Sequence, residues 1–162
     1  MPRWGIQMTK SVPHGIGGWL LVYLVWAAWG IVYAIGTNLS DLLTYRTDYP
    51  FLLPSAVVTL LLVLLFYGYY VVLLYGLCRR RAGILSRIKA MILLTPIFNG
   101  LLPCIFAITI SLTVPFTDFE SILRDAYTPP LIGSICGATI MALIWHRYFC
   151  TSKRVSVTWP DG

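Results

Sequence analysis

An all-α integral membrane fold, a four-helix transmembrane bundle with both termini cytoplasmic, is what this sequence predicts, and three observations predict it. The first is composition: of 162 residues, 58% are hydrophobic and 11% charged, whereas soluble domains carry roughly a quarter charged residues. The second is segmentation. Apolar stretches at 15–36, 51–77, 90–114 and 131–149, the first three uncharged and the last interrupted by His146 and Arg147, reach or approach the ~20 apolar residues that a hydrocarbon core requires. The third is charge placement. With the N-terminus inside, ten of the twelve basic residues fall on the cytoplasmic side and five of the six acidic ones fall outside, the bias of the positive-inside rule. The net charge of +6 is therefore a threading signal. No soluble module remains to present it to nucleic acid.

The first helix follows "MPRWGIQMTK", which holds Arg3 and Lys10 inside. Its apolar run from Trp19 to Ile35 exceeds the about 7–15 residues of a signal peptide, so it is expected to be retained. Trp19, Tyr23, Trp26, Trp29 and Tyr33 fall within about 120° of one another on a helical wheel. Residues near the interfaces form an ordinary aromatic belt, while Trp26, at mid-span, suggests a stripe facing protein or ligand. Residues 37–50 then form an outside loop.

The second helix carries "FYGYY", which sets Tyr67, Tyr69 and Tyr70 at similar depth. After it, "CRRRAGILSRIK" places Arg79, Arg80 and Arg81 at the cytoplasmic interface, and Ile84, Leu85 and Ile88 among Arg87 and Lys89 make an amphipathic lead into the third helix. Basic residues so placed anchor the topology and attract anionic lipid at the cytoplasmic face.

The third helix reads "LLTPIFNGLLPCIF", with Pro96 and Pro103 flanking Asn99 and Gly100. Each proline removes a backbone donor and bends the helix near mid-membrane. Asn99 needs a partner there, and the tyrosines of the second helix can supply one. The pair either glues helices together or lines a substrate site. The outside loop "PFTDFESILRDAYTPP" follows, where Thr117 and Glu120 match a capping box and Phe119, Ile122, Leu123 and Ala126 recur at helical spacing. A short amphipathic helix on the outer interface is expected, ended by Pro129 and Pro130.

The fourth helix contains Gly133 and Gly137, beside Ser134, Ala138 and Ala142. Small residues at four-residue spacing permit close backbone approach, to a helix of the same chain or of a partner or second copy. His146 and Arg147 interrupt this segment, and Arg147 would snorkel to the interface. The tail, 150–162, is cytoplasmic.

Chemistry-bearing groups are sparse. No Asp, Glu, Lys, Arg or His falls in the middle of a span, which disfavours a pump or ion-coupled transporter. His14 and His146 lie at the cytoplasmic interface without a carboxylate to orient them, and no catalytic set is legible. Cys78, Cys104, Cys136 and Cys150 show neither a disulfide framework nor metal-ligand spacing, so neither metal nor cofactor is expected.

The two ends carry a resemblance. "GIGGWLL", with Ile16, Gly17, Gly18, Trp19 and Leu20, leads into the first helix, and "YFCTSKRVSVTW", with Tyr148, Phe149, Ser152, Lys153, Arg154, Val155, Thr158 and Trp159, leaves the fourth. Together they resemble the YdgK-like family of bacterial inner-membrane proteins, a domain of unknown function in which such motifs bracket four spans. Trp159 stands where the family usually has Phe. The resemblance implies the fold and the inner-membrane address; it implies no catalytic residue.

Val155, Val157 and Trp159 alternate with Arg154, Ser156 and Thr158, a pattern suited to an extended segment with one apolar side. The tail is expected to fold back on the cytoplasmic end of the bundle and pack Trp159 against the glycine-rich leading segment. For function, one membrane domain spanning 1–162 with few charges reads first as a non-enzymatic accessory or scaffold subunit of a membrane assembly. The alternative is a small-molecule or lipid transporter or binding protein with a cavity near Asn99 and the segment from Tyr67 to Tyr70.

Overall fold

The structure, a computed structural model, describes residues 18–114, 120, 121, 124 and 129–159. Every regular element among them is helical: α1 (Trp19–Thr47), α2 (Leu53–Cys78), α3 (Ile84–Thr113), α4 (Pro129–Thr151) and α5 (Lys153–Thr158), with a 3-10 turn at Pro50–Leu52 between α1 and α2. Three of them, α1, α2 and α3, are long and apolar enough to cross a membrane. The fourth expected span, α4, is a helix but is not apolar enough to rank with the others, because His146 and Arg147 stand in its last two turns.

Gly18 opens α1 at φ +55°, a left-handed conformation that glycine adopts without steric cost. The helix then runs eleven residues past the expected end of its span, through the segment 37–47 that the sequence suggests as a loop. Several of its polar side chains bond back to the helix. Thr37 Oγ1 donates to the Tyr33 carbonyl at 3.0 Å, Asn38 Nδ2 to that of Ala34 at 2.8 Å, and Thr44 Oγ1 to that of Ser40 at 3.1 Å. These bonds accommodate the polar side chains, while the segment holds neither Pro nor Gly to break the helix and Tyr45 stacks on Phe106 of α3 at 5.8 Å between centroids.

The turn after α2 is tight. Arg80 and Gly83 both take positive φ, at 53° and 68°, and α3 starts at Ile84, six residues before the expected span. The amphipathic lead is therefore the first turns of α3, with Ile84, Leu85 and Ile88 buried and Arg87 exposed. From there α3 continues as one element through Pro96 and Pro103. In the outer connection, Glu120 and Arg124 form an exposed ion pair of 3.1 Å at i, i+4 spacing. Thr117, Phe119, Ile122, Leu123 and Ala126, which define the expected interfacial helix, lie outside the described residues.

The core forms where the inward faces converge. Leu20, Tyr23, Ala27 and Ile31 of α1 meet Val63, Tyr67, Tyr70, Leu74 and Leu77 of α2, with Ile88, Met91 and Ile92 of α3 and Ala142, Trp145 and Phe149 of α4. Outward faces stay apolar, with Val25, Val32, Leu61, Leu65, Ile97 and Leu101 exposed, as a lipid-facing surface requires. The aromatic stripe of α1 is split by this packing. Tyr23 is buried and Trp26 half-buried, whereas Trp19, Trp29 and Tyr33 are exposed, because the core-facing side of α1 is turned about 100° from the centre of the aromatic face.

Consecutive helices pack along their lengths, α1 on α2, α2 on α3 and α3 on α4. The seam between α4 and α1 is different: among the described residues it is bridged by large rings, with Trp145 and Phe149 edge-on to Tyr23 at 5.2 and 4.8 Å between centroids and Trp26 tilted against Trp145 at 6.1 Å. These bridges sit at one end of the bundle. Beyond them the seam holds small residues, and a cleft opens.

Candidate functional site

The cleft between α1 and α4 encloses about 450 Å³. Close-packed interiors leave few spaces larger than a water molecule, and ligand pockets begin near about 300 Å³. Small side chains make the room: Gly30 and Ala34 on α1 and Ser134 and Ala138 on α4 line it where larger residues would close the seam. A Cβ at Gly30 would meet nothing within 4 Å.

The wall is mostly apolar, and its polar groups come from three helices. From α2, Tyr67 and Tyr70 line the cleft; from α3, Thr95 and Asn99; from α1, Thr37, Asn38 and Asp41. Tyr67 donates its hydroxyl to Asn99 Oδ1 at 3.0 Å, the interhelical pairing that the sequence suggests. Tyr70 is bonded to Tyr23 instead, hydroxyl to hydroxyl at 2.6 Å, in the buried floor beside the α1–α4 aromatic bridge. Pro96 and Pro103 carry no N–H, so the carbonyls of Ile92 and Asn99 lose their helix donors, and these four residues all line the cleft. A second cavity of about 240 Å³ adjoins it and shares Asn38, Asp41, Leu102 and Pro103, adding Tyr45, Ala56, Thr59 and Phe106.

Asp41 stands between the two spaces, and among the described residues it makes no ion pair; neither lining contains Lys, Arg or His. The sequence reading passes over Asp41 because it assigns 37–50 to a loop. A signal was present, for Ala27, Ile31, Ala34, Asn38, Asp41 and Tyr45 recur at alternating spacings of four and three. That stripe continues the core face of α1 past the point where hydropathy ends it.

Of the singled-out residues, Trp26, Tyr67, Tyr70 and Asn99 are brought together on the cleft. Trp19 is exposed at the start of α1, away from it. Gly133 and Gly137 are exposed too, and a Cβ at either would meet nothing within 4 Å. Among the described residues, the close helix contact expected inside the chain is therefore not made at these two glycines. Their neighbours Ser134, Ala138 and Ala142 face the cleft instead, the last also joining the core.

Residues of both end motifs belong to the common core. Leu20 and Tyr23 share one buried cluster with Phe149, Val155 and Trp159, while Tyr148 packs against it. The tail docks as a helix and not as an extended segment: Ser152 caps α5 by accepting from the Val155 N–H at 3.5 Å, and Trp159 N–H donates to the Val155 carbonyl at 2.9 Å. Val155 and Trp159, four apart, share one face of a helix as well as one side of a strand, and burial of both selects the helix. Lys153 is exposed and Thr158 half-buried. Ile16 and Gly17 lie outside the described residues, and the chain segment of Arg154 is helical. Searches against protein-family models, curated proteins and solved structures find no match to this chain.

Proposed function

We propose that this protein is a membrane-embedded binding protein or carrier that holds one small, largely apolar molecule in the cleft between α1 and α4. The observation that carries this reading is the cleft itself, about 450 Å³ with Tyr67, Asn99 and Thr95 placed along an otherwise apolar wall. Such a lining orients a ligand with a few hydrogen bonds and binds the rest of it by burial. Alongside it we propose four spans with both termini cytoplasmic, the bacterial inner membrane as the address, on the charge distribution and the YdgK-like end motifs, and anionic lipid at Arg79, Arg80 and Arg81.

The reading is tested with purified full-length protein in nanodiscs of zwitterionic lipid. Saturable binding of a neutral fluorescent probe, N-acetyl dansylcadaverine, is expected above the signal of protein-free discs. Ala138→Trp, which places an indole in the cleft, should abolish it. Binding unchanged in Ala138→Trp overturns the reading, as does the absence of saturable binding by both this probe and its unacetylated parent, dansylcadaverine. A scaffold role has its own support in the open positions at Gly133 and Gly137, where a partner helix or a second copy could approach closely.

A further inference from the structure

We propose that the cleft selects organic monocations, amphiphiles carrying one protonated amine, with the ammonium held at Asp41 and the apolar body extending toward Tyr67 and Asn99. The inference rests on the reading of the cleft as a binding site and adds the chemical class of its ligand.

Three observations point to a cation. Asp41 lies on the walls of both cavities, and no basic side chain shares either lining among the described residues. Acceptors stand on the same wall, since prolines remove the helix donors of the Ile92 and Asn99 carbonyls. Of the donors near Asp41 on α1, Thr37 and Thr44 spend their hydroxyl hydrogens on the helix's own carbonyls and Asn38 spends one of its two amide hydrogens on that of Ala34, while the Tyr45 hydroxyl shares the second cavity with Asp41. A carboxylate with carbonyl acceptors on the same wall and no basic side chain in either lining fits a group that brings its own N–H bonds and positive charge, and repels an anion.

Position fits an amphiphile. Asp41 lies about 33 Å along α1 from Trp19 at ~1.5 Å per residue. If Trp19 marks one interface of a hydrocarbon layer about 30 Å thick, Asp41 reaches the other, where a charged head costs little to hold. Tyr67 and Asn99 lie deeper, beside the apolar wall. The cleft thus grades from charged at one end to apolar at the other, as such a ligand does.

The test compares dansylcadaverine, which carries one primary ammonium, with its neutral N-acetyl derivative on the same wild-type protein in zwitterionic nanodiscs, each corrected for protein-free discs. The amine should bind about tenfold or more tightly than the acetyl form, the scale of one charge-assisted hydrogen bond. In Asp41→Asn the two probes should bind alike, and Asp41→Glu should restore the preference. Equal affinity of the two probes for the wild type overturns the inference and leaves the binding site standing. A preference that persists in folded Asp41→Asn also overturns it. Saturable binding of neither probe overturns both. The wild-type comparison decides even if the variants fold poorly.

Discussion

Tyr23 and Tyr70 each spend a hydroxyl on the other, 2.6 Å apart and buried. Two consequences follow from the asymmetry between losing one partner and losing both. Tyr23→Phe leaves the Tyr70 hydroxyl without its partner and should cost about 1–3 kcal/mol. The double replacement Tyr23→Phe/Tyr70→Phe should cost less than the sum of the two single ones, as a thermal-melting double-mutant cycle in detergent would read. Trp159 makes the converse case. It is 5% exposed and, among the described residues, its indole N–H has no acceptor, so within them only its shape is used. Trp159→Phe should be nearly neutral, whereas Trp159→Ala should lose about 3–5 kcal/mol by opening a cavity. A large loss in Trp159→Phe would show that the nitrogen matters.

At the scale of the element, small residues act in three ways that composition cannot separate. Gly76 permits a close approach: a Cβ there would lie 2.8 Å from Ile84 Cδ1, at the tight turn from α2 to α3. Gly30 and Ala138 make room for the cleft, and Gly133 and Gly137 face outward. Gly133→Leu and Gly137→Leu should therefore each change the monomer's melting by no more than the equivalent of about 0.5 kcal/mol, as substitutions away from packed contacts do. Loss of a larger assembly with the monomer intact would place a subunit contact there. Gly76→Leu should destabilise by about 1–3 kcal/mol, since Ile84 must leave its position in the core. Circular dichroism melts of the three variants, read side by side, distinguish the roles.

At the scale of the molecule, α5 adds to the common core through Val155, with Trp159 just beyond it in the same buried cluster. The α1–α4 seam is closed at one end by the rings of Tyr23, Trp26, Trp145 and Phe149 and open toward Asp41. Truncation after Thr151 should loosen the closed end and lower the melting temperature without removing a spanning helix. Threading is tested with reporter fusions: those after Gly162 or within 79–83 should read cytoplasmic, and those within 115–128 outside. A C-terminus reading outside would sink the four-span arrangement. α4 is the helix on which that result turns, because it is the least apolar of the four.

Helices, their approximate number and their apolar surface were legible from the sequence because they depend on local quantities, the length of uncharged runs and the positions of prolines and glycines. The Tyr67–Asn99 pairing was legible for a related reason: a buried amide at mid-helix demands a partner, and the tyrosines of α2 were at its depth. What escaped was rotational. Hydropathy has no angle, so it ends α1 near Gly36 although a segment free of Pro and Gly and packed through Tyr45 on Phe106 carries it to Thr47, and it places Asp41 in a loop. It likewise assigned Gly133 and Gly137 to a contact that Ser134, Ala138 and Ala142 face instead. Which side of a helix turns inward is set by the simultaneous packing of four helices. Only that packing decided that α1 and α4 meet through large rings at one end and small residues beyond them, and so that a cleft exists at all.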